Sequence, residues 1–92
     1  MQSQKSLKGL RVLDLTNVLA GPFATLHLAL CGAEVIKIET PGSGDLARKL
    51  GNVPDYNKIN MGTSFLAQNS NKKSLTLNLK DEKAKEIFKQ LV

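Results

Sequence analysis

Two seven-residue runs, LRVLDLT at 10–16 and EVIKIET at 34–40, lack the polar alternation of a half-exposed strand, and they flank a segment bracketed by Pro22 and Gly32. A strand with one face in water alternates apolar and polar positions, whereas a strand covered on both faces reads as one continuous run. Both runs are therefore predicted to be strands covered on both sides. The segment between them is apolar almost all round, with proline suited to a first helical turn and glycine to a C-terminal cap, so a short helix is predicted over 22–31. Strand, crossover helix and strand at this spacing close as a right-handed βαβ unit with parallel strands.

The remainder of the chain extends this unit. Residues 41–68 are poorly periodic and punctuated by Gly42, Gly44, Gly51, Pro54 and Gly62, with one helical turn predicted at 46–50. An excursion of that length inside a compact domain is often functional. KSLTLNL at 73–79 alternates leucine with polar residues, which predicts a third strand at an edge of the sheet. KDEKAKEIFKQLV then places Ala84, Ile87, Phe88 and Leu91 on one helical stripe, with Asp81 and Glu82 near its N-terminus. The pattern is α/β: a Rossmann-like βαβ…βα unit with a three-stranded parallel sheet, a fragment of a larger doubly wound domain. Residues 1–92 are predicted to form one structural unit, of which 1–7 are a flexible tail.

Composition narrows the partners. Five basic residues face four acidic ones through Arg48, and eight face four after it, so the second half carries most of the net charge of +5. A basic surface attracts polyanions, among them phosphate-bearing cofactors. The lysines are dispersed, however, and only Phe23, Tyr56, Phe65 and Phe88 are aromatic, which argues against nucleic acid. The longest uncharged stretch, 15–32, holds Thr16, Asn17, Gly21, Pro22 and His27, too polar and interrupted for a membrane span. A single cysteine, Cys31, makes no internal disulfide; it is predicted to be a small buried hydrophobe in a reducing cytoplasm.

In open parallel sheets, ligands lie outside the carboxyl ends of the strands, so NVLAGP, TPGSGD and the end of the third strand are the stretches of interest. Glu39 stands 18 residues after Gly21, near where a ribose-binding acid would sit, but G-x-G-x-x-G is missing, which argues against a dinucleotide. With one cysteine and one histidine, the chain has no metal set. His27, mid-helix among leucines, reads as packed or half exposed rather than catalytic. Asp14, Glu34, Glu39 and Asp45 have no spacing that pairs them as acid and base. TPGSGD is by itself an ordinary turn. NSNKKS, residues 69–74, offers charge and hydrogen-bond donors together, although in isolation a solvated lysine pair explains it better.

Order carries more than any single motif. D-L-T at 14–16, A-G-P-F-A at 20–24, G-A-E-V-I-K-I-E at 32–39, P-G-x-G-D at 41–45 and N-x-N-K-K-S-L-x-L-N-L at 69–79 occur in sequence. Together they closely resemble the N-terminal segment of the family III coenzyme A transferases, the group that includes formyl-CoA and carnitine CoA-transferases and the α-methylacyl-CoA racemases. The resemblance covers residues 8–92. It implies a Rossmann-like large domain with coenzyme A lying over the carboxyl ends of the first strands, and ETPGSGD as part of the wall around the nucleotide portion. It implies further that Val18, Leu19 and Ala20 pass the thioester end of the coenzyme. Thr40 matches a position that carries a nucleotide-binding arginine in formyl-CoA-type members, and Lys72 or Lys73 matches basic residues near the phosphates.

Two substitutions depart from that pattern: Leu19 stands where formyl-CoA-type members use a glutamine near the reacting carboxylate, and Thr40 replaces the arginine. The second should cost about 1 to 3 kcal/mol of nucleotide affinity. The family's catalytic aspartate, which forms an acyl anhydride and then carries coenzyme A as a thioester, lies beyond the position matching Val92. The resemblance thus implies a coenzyme A- or acyl-CoA-binding segment that is inactive alone, needs no metal and belongs to a homo-oligomer. The alternative is a non-catalytic oligomerisation module derived from such an enzyme.

Overall fold

In the computed structural model, which describes residues 5–92, three strands and four helices alternate as the sequence pattern requires. Strand β1 (Arg11–Asp14) leads into α1 (Ala20–Leu30), which returns the chain to β2 (Glu34–Glu39). A 3-10 turn (Leu46–Lys49) and two short helices, α2 (Pro54–Lys58) and α3 (Thr63–Gln68), precede β3 (Lys72–Thr76) and α4 (Glu82–Leu91). The sheet is parallel in the order β1-β2-β3, with Asp14 paired to Lys37 and Glu39 to Thr76. This α/β architecture matches the expected fold class.

Local chemistry sets the ends of α1. Pro22 stands in the first turn, where its missing N–H is no loss, and the Phe23 N–H reaches the Leu19 carbonyl at 2.8 Å. At the other end Gly32 adopts φ +105, the Gly32 N–H bonds to the Ala29 carbonyl and the Ala33 N–H to the Leu28 carbonyl. That pair of bonds is a Schellman cap, which turns the chain straight into β2. Ala29, Ala33 and Val35 form the buried centre, with Leu7, Val12 and Leu28 packed around them. Small side chains there let α1 lie close over β2. Because Val12 and Val35 face α1, strand alternation puts Asp14, Lys37, Glu39 and Lys72 on that same face. Leu13, Ile36, Ile38 and Leu75 face the side of Phe88 and Leu91 of α4.

Four expectations need correction. Covering on both faces holds for β2 but not for β1, whose Arg11 is exposed and whose Val12 and Leu13 are half-buried, because β1 lies at an edge. Leu15, expected inside that strand, is 50% exposed just past its end. Cys31 is exposed rather than buried, since it occupies the outward C-cap of α1. The excursion over 41–68 is not structureless: it contains α2 and α3, helices of five and six residues too short to show a period. Of the tail expected over 1–7, residues 1–4 lie outside the described residues, and the Leu7 N–H bonds to the Cys31 carbonyl at 2.9 Å.

Candidate functional site

Three ion pairs line the α1 face toward the carboxyl end of the sheet, and each comes from residues the strand alternation brings there. Asp14, 1% exposed, ends β1. Its Oδ1 accepts the backbone N–H and the hydroxyl of Thr16, and its Oδ2 accepts the Thr25 hydroxyl at 2.7 Å and the Lys72 ammonium at 3.0 Å. Lys72 donates also to the Pro22 carbonyl at 3.0 Å and to Asn69 Oδ1 at 2.8 Å. Its three hydrogens are thereby satisfied inside the protein. Burial alone would raise the Asp14 carboxyl, but Thr16, Thr25 and Lys72 more than offset it and hold it below the usual carboxylate range.

The second pair sits one layer further along. Lys37, on the central strand, places its Nζ 2.9 Å from Asp45 Oδ2 and 3.0 Å from the Thr16 carbonyl. The other oxygen, Asp45 Oδ1, accepts the N–H groups of Val18 and Ala47, both at 2.9 Å. Asp45 is thus the cap of the 3-10 turn and the anchor of the β1–α1 loop at once. Burial pushes its carboxyl up, while Lys37, Ala47 and Val18 together carry it below the usual range.

The third pair closes the layer. Arg48 donates Nε and Nη2 to the two oxygens of Glu39, each at 2.7 Å, a bidentate geometry that chiefly lowers the Glu39 carboxyl and raises the Arg48 guanidinium. The guanidinium lies 3.8 Å above the Phe65 ring and also bonds the Asn60 carbonyl, tying α3 and the preceding loop to the end of β2. Glu39 Oε2 takes the Asp45 N–H as well, so the second and third pairs share a backbone link. Gly44 is required in this turn: it holds φ +64, and a Cβ there would stand 2.7 Å from Glu39 Oε2.

What this framework presents is the turn after β1. Val18 adopts φ +70, a conformation that costs a β-branched residue strain, and strain of this kind concentrates at ligand sites. Val18 is 38% and Leu19 58% exposed, and Leu19 caps α1 without any side-chain hydrogen bond. Ala20 follows as the first helical residue. Beside the turn lies a hollow of about 450 Å³ lined by Val18, Leu19, Leu50, Thr63, Ala67 and Gln68. Thr40 is exposed at the end of β2, where its carbonyl accepts the Gly44 N–H. With Gly42, Ser43, Gly44, Arg48 and Asn60 it borders a crevice of about 190 Å³. A larger hollow, about 620 Å³, lies away from these three ion pairs, between Leu10, Leu13, Phe88 and Leu91 on the α4 side.

The six residues singled out by the sequence are therefore divided. Val18, Leu19, Ala20 and Thr40 stand at the carboxyl ends of β1 and β2, joined through Asp45 and Gly44. Lys72 and Lys73 open β3, level with Val35 and Ile36 at the amino half of β2. Lys72 is enclosed beneath α1, and Lys73 pairs with Glu34 on the opposite face. There Lys73 and then Arg11 lower the Glu34 carboxyl to about 2. His27, exposed, stacks edge-on against Phe23 at 4.5 Å. Sequence reasoning missed Lys37, Asp45 and Arg48 as an interlocked set. One signal was available: Lys37 and Glu39 interrupt a run otherwise apolar enough to be buried, and buried charges need partners.

A parallel sheet whose strand-end turns sit on a buried ionic layer defines a segment of a doubly wound α/β domain. The sequence profile of CoA-transferase family III matches residues 7–92, and the chain belongs to that family. It is 52% identical to a succinyl-CoA:glutarate CoA-transferase from Mus musculus over 97% of this chain and 20% of the relative. A formyl-CoA:oxalate CoA-transferase from Streptomyces avermitilis is 46% identical over 96% of this chain and 20% of its own length. Among solved structures, a hypothetical protein from Mycobacterium tuberculosis superposes with a TM-score of 0.78 at 44% identity, over 94% of this chain and 22% of that one. A CAIB/BAIF family protein from Brucella suis also gives 0.78, at 30% identity, over 97% of this chain and 24% of the other. The chain spans about a fifth of the length of these curated relatives.

Proposed function

We propose that this chain is the opening, coenzyme A-binding segment of an enzyme that moves coenzyme A between carboxylic acids. The observation that carries the reading is the strained turn at Val18, held beside the Thr40–Gly44 loop at the carboxyl ends of two parallel strands. Residues 18–20 offer an apolar rim suited to a pantetheine arm, and the crevice at Thr40 offers polar groups suited to the nucleotide end. Single-molecule ligand pockets run to about 300–1,000 Å³, so the crevice supplies one wall and not a whole pocket. Lys72 serves from beneath by fixing the start of α1, and Lys73 pairs with Glu34 on the opposite face of the sheet. The aspartate that performs covalent transfer in the family has no counterpart among these residues, so the chain alone does not turn over. The site of action is the reducing cytoplasm.

Titration of coenzyme A, dephospho-coenzyme A and pantetheine into the 92-residue chain, followed by amide NMR shifts, tests this. Saturable shifts at Val18, Leu19, Ala20 and Thr40, weakened by loss of phosphate, support the reading; no shifts at millimolar ligand in folded protein overturn it.

A second reading, a module for homo-oligomer assembly, is favoured by the large apolar side chains left exposed, among them Leu10, Leu15, Phe23, Leu30 and Ile87. Sedimentation decides it: a strict monomer at micromolar concentration rejects assembly, and a dimer that Leu15→Glu dissociates supports it.

A further inference from the structure

We propose that Asp45 is a positioning residue, whose buried carboxylate holds the turn after β1 in the left-handed conformation that presents residues 18–20 to a ligand. The ligand half of this statement rests on the coenzyme A reading above; the positioning half does not.

The argument begins with Val18. A β-branched residue does not choose φ +70 unaided, and no glycine occupies the position to relieve it. Something must over-determine the conformation. The Val18 N–H has one acceptor, Asp45 Oδ1 at 2.9 Å, which lies 27 residues away in sequence on the loop after β2. That carboxylate is itself immobile. Its second oxygen faces the Lys37 ammonium at 2.9 Å, its backbone N–H is held by Glu39, and Ala47 shares its Oδ1. Both side chains of the Lys37–Asp45 pair are almost wholly buried, so neither swings out to solvent. A second strut fixes the loop's other side, where the Leu46 N–H bonds to Asn17 Oδ1 at 3.0 Å. Position 45 thus ties two strand-end loops together through a charge-assisted bond, about twice as strong as a neutral one. The acid that closes TPGSGD acts on the neighbouring turn, with its Oδ1 on two backbone amides and its Oδ2 against the Lys37 ammonium.

Amide hydrogen exchange on the 92-residue chain, wild type against Asp45→Ala, tests the positioning. The Val18 amide is expected to exchange at least about tenfold faster in the variant while Val35 and Ile38 in β2 stay protected. Unchanged Val18 protection in a folded variant overturns the proposal. If the variant does not fold, the wild type decides: a through-hydrogen-bond coupling between the Val18 nitrogen and the Asp45 carboxyl carbon is required, and its absence, with ladder couplings seen between β2 and β3, refutes the bond. A coenzyme A titration then separates the two halves. Weaker binding in Asp45→Ala by about fivefold or more, partly recovered by adding Val18→Gly, which adopts positive φ without strain, supports both. Loss of binding that Val18→Gly leaves unrecovered assigns Asp45 a role other than the turn. Wild-type protein that ignores coenzyme A while Val18 still depends on Asp45 sinks the functional reading alone.

Discussion

Replacing Lys72 by methionine isolates what the buried pair under α1 contributes. The side chain is 2% exposed and its ammonium donates at 3.0, 3.0 and 2.8 Å to Asp14, the Pro22 carbonyl and Asn69. Methionine fills much of the volume but leaves Asp14 charged in a site that water does not reach. Removing one member of a buried pair costs about 3 to 5 kcal/mol, because the surviving charge is uncompensated. A chain of this size has roughly 5 to 14 kcal/mol in total, so the loss is a large fraction of it. Urea denaturation followed by circular dichroism at pH 7 measures it directly. The pH dependence supplies an independent check. In the wild type the Asp14 carboxyl is depressed in the folded state, so its contribution to stability is complete above the unfolded value, about 3.9, and is lost as the pH falls through the folded value. Without the ammonium, burial is less opposed and the folded value rises, which shifts the loss to higher pH or reverses its sign. A variant within about 0.5 kcal/mol of wild type, with unaltered acid sensitivity, would refute the assignment of Lys72 to structure and return it to the ligand.

Arg48→Lys should lose about 1 to 3 kcal/mol, since a point charge reproduces neither the fork on Glu39 nor the stack on Phe65, and limited proteolysis should then cut preferentially between Leu50 and Thr63. Gly44→Ala should destabilise more than Gly42→Ala: both have positive φ, but only at Gly44 does the new Cβ meet Glu39 Oε2, at 2.7 Å, so equal melting temperatures would contradict the crowding argument. Gly21→Ala drives a Cβ into the Thr16 side chain and should disturb the hydrogen bonds around Asp14, read as shifted Thr16 and Thr25 resonances. Glu34→Gln acts on exposed partners; its effect should appear at low ionic strength, fade in salt, and abolish a titration near pH 2.

The βαβ unit was legible because hydrophobic runs and their Pro and Gly punctuation are local facts, and a parallel crossover has one favoured hand. The order of blocks from D-L-T to N-L identified the family for the same reason. Other features depended on neighbours. LRVLDLT reads as fully covered, yet β1 takes its exposure from standing at an edge, and α2 and α3, too short to show a period, are placed by ties from Arg48 and Gly62 that lie outside their own sequences. Lys72 and Lys73 looked alike as adjacent lysines; strand alternation sends one beneath α1 and the other to the opposite face.

The amino-acid sequence by itself determined the α/β class, the succession of elements and the family, all properties of pattern along the chain. Only the tertiary structure decided which charges meet. Asp14 with Lys72, Lys37 with Asp45 and Glu39 with Arg48 are separated by 58, 8 and 9 residues, and they become partners because three parallel strands and one loop converge on a single buried layer. Burial removes the water that would otherwise satisfy each charge, so every one must find its opposite within reach, and that requirement sets the turn at Val18.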